Sequence, residues 1–152
     1  MKHQNEIMKL IYQIFFYCIF ASSMISCGTL GHIQFYNFNA SKDAVEENLL
    51  AVINKDARYT PPSKWNGYES GADSTRDIFI MFQSIPMEVY QVDFAFKESW
   101  SNSASCKLAL VCVFDGNLWH FEDDLSSKEE NRVMKRFESE ILSKMKYQYS
   151  KE

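Results

Sequence analysis

Apolar positions follow three patterns along the chain. From Leu10 to Ile25 they form a nearly continuous, uncharged run, interrupted only by Gln13, Ser22 and Ser23. Beyond it they take the spacing of helices and strands. Val45, Leu49, Val52 and Ile53 fall at i, i+4, i+7 and i+8, with Glu46, Glu47 and Asn48 between them, which is one face of a helix. Ser41 stands where a side-chain oxygen caps the first turn. The spacing therefore predicts a helix over Lys42–Lys55. A second stripe steps by four through Val133, Phe137, Ile141 and Met145, with Met134 and Leu142 beside it. Ser126 and Ser127 precede Glu129 and Glu130, a capping-box arrangement. This helix is expected to dock by its apolar stripe, leaving Lys135, Arg136, Glu138, Lys144 and Lys146 on the far side.

Strand patterns fill the space between. Residues 33–38 (IQFYNF) are aromatic-rich, and residues 77–83 (DIFIMFQ) read as a buried strand. Ser84-Ile85-Pro86 makes a turn. Residues 87–97 then alternate, with Tyr90, Val92, Phe94 and Phe96 on one face and Gln91, Asp93 and Lys97 on a wet one. Residues 106–114 (CKLALVCVF) are apolar on both faces from Leu108 onward, which suits a central strand. Asp115-Gly116 is a hairpin signal, because the tight turn wants positive φ; residues 117–122 form the returning strand. The order β-α-β-β-β-β-α predicts an α+β fold: a mainly antiparallel sheet of about five strands, with two helices packed on one face.

Two segments resist this patterning. Residues 98–105 are a polar loop holding Trp100. Residues 56–76 contain Pro61-Pro62, Asn66-Gly67 and Ser70-Gly71, all breakers. Loops of that length in a small domain tend to carry function or move. Tyr59, Trp65 and Tyr68 make it a candidate partner-binding loop. The competing expectation is that Trp65 folds back as a lid over the core.

The apolar run at the start follows Lys9, with Lys2 and His3 further upstream, in the manner of an export signal. At its end, Met24-Ile25-Ser26-Cys27-Gly28 resembles the lipobox of bacterial lipoproteins, with Met24 where Leu is commoner. The resemblance covers residues 1–28 alone. It implies cleavage after Ser26, a diacylglyceryl group on the Cys27 thiol and acylation of the new amine. It also implies a place in the cell envelope. The absence of Asp after Cys27 leans toward the outer membrane if the cell is Gram-negative. On this reading residues 1–26 are a signal peptide, 27–32 a lipidated cysteine with a short tether, and 33–152 a single domain. An ordinary cleaved signal and a retained helix are the alternatives, but a span wants about 20 apolar residues. Glu6 is unusual in such a leader, and a start at Met8 would remove it.

Charge narrows the partners. The chain carries a formal charge of −4, and loss of Lys2, Lys9 and Glu6 with the leader makes it −5. That disfavours nucleic acid, which needs basic patches, and leaves the acyl chains as the expected membrane attachment. Cys106 and Cys112 sit in one strand, roughly 20 Å apart at about 3.3 Å per residue, whereas a disulfide needs less than about 7 Å. Both are expected to be unpaired and buried.

The chemistry is sparse. His120 and Glu122 share a strand face, and Asp123 and Asp124 follow, yet no HExxH or paired-cysteine spacing points to a metal. The three acids are placed to favour the next helix's N-terminus. No GxSxG elbow or phosphate loop is present. The sequence thus predicts no catalytic residues, no metal and no cofactor. Its first expectation is a lipid-anchored envelope protein that binds another envelope protein or serves as a structural accessory. An immunity-type lipoprotein neutralising an envelope-targeted toxin is the second, and a small envelope hydrolase the third.

Overall fold

Strand β4, Cys106–Phe114, is the strand on which the others are assembled. Its length and its two apolar faces let it pair along both edges. Strand β3, Glu88–Phe94, runs antiparallel along one edge. The other edge is shared, with β1 (Gln34–Phe38) on its first half and β5 (Trp119–His120) on its last two residues. Strand β2, Ile78–Phe82, pairs with β3, and β6, Tyr149–Lys151, with β1. The sheet is therefore antiparallel and six-stranded, in the order β2-β3-β4-β1-β6 with β5 beside β4. The structure, a computed structural model, describes residues 31–62, 65, 77–95 and 104–152. Residues Gly31–Glu152 form one compact unit.

Register decides the faces. Gln91 lies opposite Cys112 but Val92 opposite Leu110, so Val111 is an extra residue in β4. Such a bulge shifts the alternation by one. Cys106, Leu108 and Leu110 point to one side, and Val113 rejoins them there, while Cys112 points to the other. Both cysteines are free and buried, as their separation along one strand requires.

Helix α1, Lys42–Lys55, and helix α2, Ser127–Glu140, both pack on the side of Tyr36, Phe38, Phe82 and Tyr90. Ser41 Oγ accepts from Ala44 N at 3.4 Å, and Val45, Leu49 and Ile53 are buried. In α2, Ser126 Oγ accepts from Glu129 N, and Glu129 Oε2 accepts in return from Ser126 N at 3.2 Å and from its hydroxyl at 2.6 Å. Phe137 and Tyr36 meet with ring centroids 5.6 Å apart.

The structure departs from the predicted elements in three places. Helix α2 stops at Glu140, and Met145 is reached through a 3-10 turn at Leu142–Lys144. Ser139 and Ser143 donate to the carbonyls of Arg136 and Ser139, competing with the helix for its acceptors. The returning strand β5 is only two residues long before the chain bends into a 3-10 turn at Glu122–Asp124. Strand β6 was not foreseen: its sequence, YSK, has one apolar position, but Tyr149 packs edge-on against Tyr36 at 5.4 Å.

Candidate functional site

The sheet's second face, opposite the helices, carries a group of aromatic rings. Phe79 of β2, Phe114 of β4 and Trp119 of β5 share it, and Trp65 from the long loop packs on all three. Its ring centroid lies 5.9 Å from Phe79, 5.3 Å from Phe114 and 5.5 Å from Trp119. Phe114 and Trp119 stand directly opposite in the β4–β5 ladder, with centroids 5.3 Å apart. All four rings are only half-buried. They form an apolar platform with one polar handle per tryptophan, the composition that recurs where proteins hold partners.

Beside the platform the same face turns polar. Gln91 and Asp93, expected on a wet surface, are half-buried, and Asp77 is buried at the start of β2. Burial pushes the Asp77 carboxyl up against an opposing hydrogen bond from Gln91. Burial likewise raises Asp93, and the Asp77 charge adds to the shift, although Asp93 Oδ1 accepts from Phe94 N at 2.6 Å. The Cys112 thiol donates to Gln91 Oε1 at 3.2 Å and is pushed up to about 12, mainly by burial. At neutral pH that sulfur is a neutral thiol and a poor nucleophile.

A second polar group sits at the junction of β3 and α2. Glu88 is 3% exposed and is held by four hydrogen bonds. Arg132 donates through Nη2 at 2.6 Å and Nη1 at 2.9 Å, Arg136 through Nη1 at 2.9 Å, and the Tyr90 hydroxyl at 3.0 Å. Arg136 also grips the β2–β3 turn, donating to the carbonyls of Pro86 (2.6 Å) and Ser84 (3.0 Å). Each carboxylate oxygen is satisfied and the guanidinium of Arg136 is fully engaged, so the cluster pins the helix to the sheet.

The predicted loop residues part company. Tyr59 is 2% exposed on the helix side, its ring against Phe82 at 5.7 Å, its hydroxyl donating to Glu140 at 3.2 Å and accepting from Lys144 at 2.7 Å. That makes it a contact of the core on the helix side. Trp65 lies on the opposite sheet face, and Tyr68 and Cys27 fall outside the described residues. Phe79, Phe114 and Trp119 were legible as strand residues but not as one surface. The Asp115-Gly116 hairpin was the signal that could have set Trp119 beside Phe114.

The histidines have local partners. His120 Nε2 is 3.0 Å from Asp115 Oδ2, and Asp115 also accepts from Asn117 N and Leu118 N. Those backbone bonds, with His120, hold the Asp115 carboxyl down at about 2. His32 stacks on Phe35 at 4.8 Å, its pKa lowered by burial against the opposing pull of Glu122. Among the described residues, no three His, Cys, Asp or Glu side chains gather in a metal-binding group. Nor is any helix among them long and apolar enough to cross a membrane. A shallow groove of about 510 Å³ runs between α1 and the C-terminal turn, lined by Asn48, Val52, Lys55, Asp56, Tyr59 and Lys144.

No family model matches the chain, and no curated protein or solved structure does either.

Proposed function

We propose that this chain is a lipid-anchored cell-envelope protein whose folded domain binds another envelope protein without catalysing a reaction. The observation that carries the anchor is Cys27, set immediately after an uncharged apolar run and the small residue Ser26. A thiol there is the one side chain nucleophilic enough to take the lipid, and small neighbours let a peptidase reach the backbone. Two acyl chains suffice for stable attachment, since each buried methylene contributes about 0.8 kcal/mol. The aromatic platform supports the binding role: Phe79, Phe114 and Trp119 are set on strands, Trp65 from the loop packs on them, and all four are only half-buried.

Cys27→Ser tests the anchor. The native protein should partition with membranes and yield a diacylated N-terminal peptide by mass spectrometry. The variant should lose both properties. Soluble native protein with a bare Cys27 would defeat the reading. Trp65→Ala and Trp119→Ala test the platform: a partner that co-purifies with the parent should be lost from both variants while each still unfolds cooperatively with the circular dichroism of the parent.

A further inference from the structure

Ile85, Met87 and Leu118 are 98%, 56% and 65% exposed, the large apolar side chains most open to solvent among the described residues. All three lie at one end of the sheet. Ile85 and Met87 belong to the β2–β3 connection and Leu118 to the β4–β5 hairpin. Val89 at the start of β3 stands opposite Phe114 at the end of β4, so these two connections are neighbours. Scattered singly, exposed aliphatics need no explanation; gathered on adjacent turn tips, they do.

The chain also enters the domain from this end. Strand β1 is antiparallel to β4 with Gln34 opposite Leu110, so residues before Gln34 lead toward the end of β4. Gly31 rests on the segment that follows β5: a Cβ there would meet Glu122 Oε2 at 2.6 Å. Glu122 is four residues from Leu118, and Cys27 is four residues before Gly31, each step spanning at most about 3.5 Å. A lipid on Cys27 thus holds a bilayer within about 14 Å of Gly31. The nine residues of β4 put the opposite end of the sheet roughly 30 Å from this one.

We infer that this end of the domain lies on the bilayer, with Ile85, Met87 and Leu118 dipping into the boundary between headgroups and acyl chains. The inference rests on the lipid-anchor reading of Cys27 and adds an orientation to it. Turn tips suit the task, because a protruding side chain enters the boundary while its strand stays in water. Arg136 stiffens one tip through the Ser84 and Pro86 carbonyls, and Asp115 the other through Asn117 N and Leu118 N. Exposed Lys128, Arg132 and Lys135 of α2 flank the region, as do the exposed acids Asp123 and Asp124. With both signs present, contact depends on the apolar tips and does not require anionic lipid. The platform around Trp65 is then left on a sheet face that stands up from the membrane, open to a partner from the side.

The test uses the full mature lipoprotein, purified and reconstituted into phosphatidylcholine vesicles with and without phosphatidylglycerol. Ile85→Cys, Met87→Cys, Leu118→Cys and, at the opposite end, Asn39→Cys are each labelled with an environment-sensitive fluorophore. Cys106 and Cys112 are buried and Cys27 is blocked by lipid, so labelling is selective. Emission from positions 85, 87 and 118 should rise severalfold, shift to the blue and be quenched by spin-labelled lipid in both vesicle types, with position 39 unchanged. Four equal responses would overturn the orientation. So would a response that tracks protein concentration without vesicles, which would assign the tips to a second copy of the chain. Mass spectrometry of the N-terminal peptide separates the failures. A diacylated Cys27 with silent tips sinks the orientation alone, whereas a bare Cys27 removes the anchor and the orientation together.

Discussion

Among single residues, the buried acids separate most clearly by role. Glu88 is surrounded by donors, and removing its charge leaves Arg136, itself 10% exposed at the side chain, without its main counter-ion. Glu88→Gln should cost about 3 kcal/mol of stability, as breaking a buried ion pair from one side typically does, seen as a fall in the urea midpoint. Asp93 behaves in the opposite sense. Its pKa, like that of Asp77, is raised in the folded state, chiefly by burial. What these carboxyls contribute is fully present below about pH 4, where the unfolded chain also holds the proton, and is lost as pH rises through their folded values. Asp93→Asn, whose side-chain oxygen still accepts from Phe94 N, should therefore raise the urea midpoint at pH 7. Parent and variant should converge near pH 3. Gly116 has φ of 104° with nothing within 4 Å of a Cβ, so Gly116→Ala meets only backbone strain. It should cost about 1 kcal/mol, measured by thermal unfolding.

At the scale of elements, the sequence was most legible where one periodicity ran without competition. The bounds of α1 coincide with those its stripe predicts, Lys42–Lys55, because cap and apolar face agree. Strand β4 is legible for a related reason, being apolar from Leu108 to its end. What escaped was set by contacts distant in sequence. Strand β6 has almost no pattern of its own; Tyr36 and Phe38 on β1 give Tyr149 its place, and Lys151 pairs with Glu138 at 2.7 Å. Tyr149→Ala should lower stability by about 2 kcal/mol, less than for a fully buried ring, and speed amide exchange in β1 before the rest of the sheet. The bulge at Val111 was equally invisible, since CKLALVCVF reads as apolar in either register. That one extra residue puts Cys112 and Phe114 on the platform side and Val113 in the core. The candidate site was half legible for this reason: Trp65 stood out by type, but its three companions are united only by strand register.

For the whole molecule, the sheet is open rather than closed, and its two edges are unlike. The β6 edge is short and polar. Strand β2, by contrast, reads Ile-Phe-Ile-Met-Phe, and among the described strands it pairs only with β3. Five uncharged residues of high strand propensity, with no proline, are the composition from which fibrils nucleate. While the fold holds, Ile78, Ile80 and Phe82 are locked into the core. A molecule that has begun to come apart would offer this strand as a template to its neighbours. Heating the Glu88→Gln variant should therefore produce light scattering that grows with concentration, and adding Met81→Lys, a charge on the half-buried face, should suppress it. If the anchor holds the chains on a shared surface, crowding them in two dimensions, polymerisation through that strand becomes the hazard against which the arginine clasp on Glu88 is the first defence.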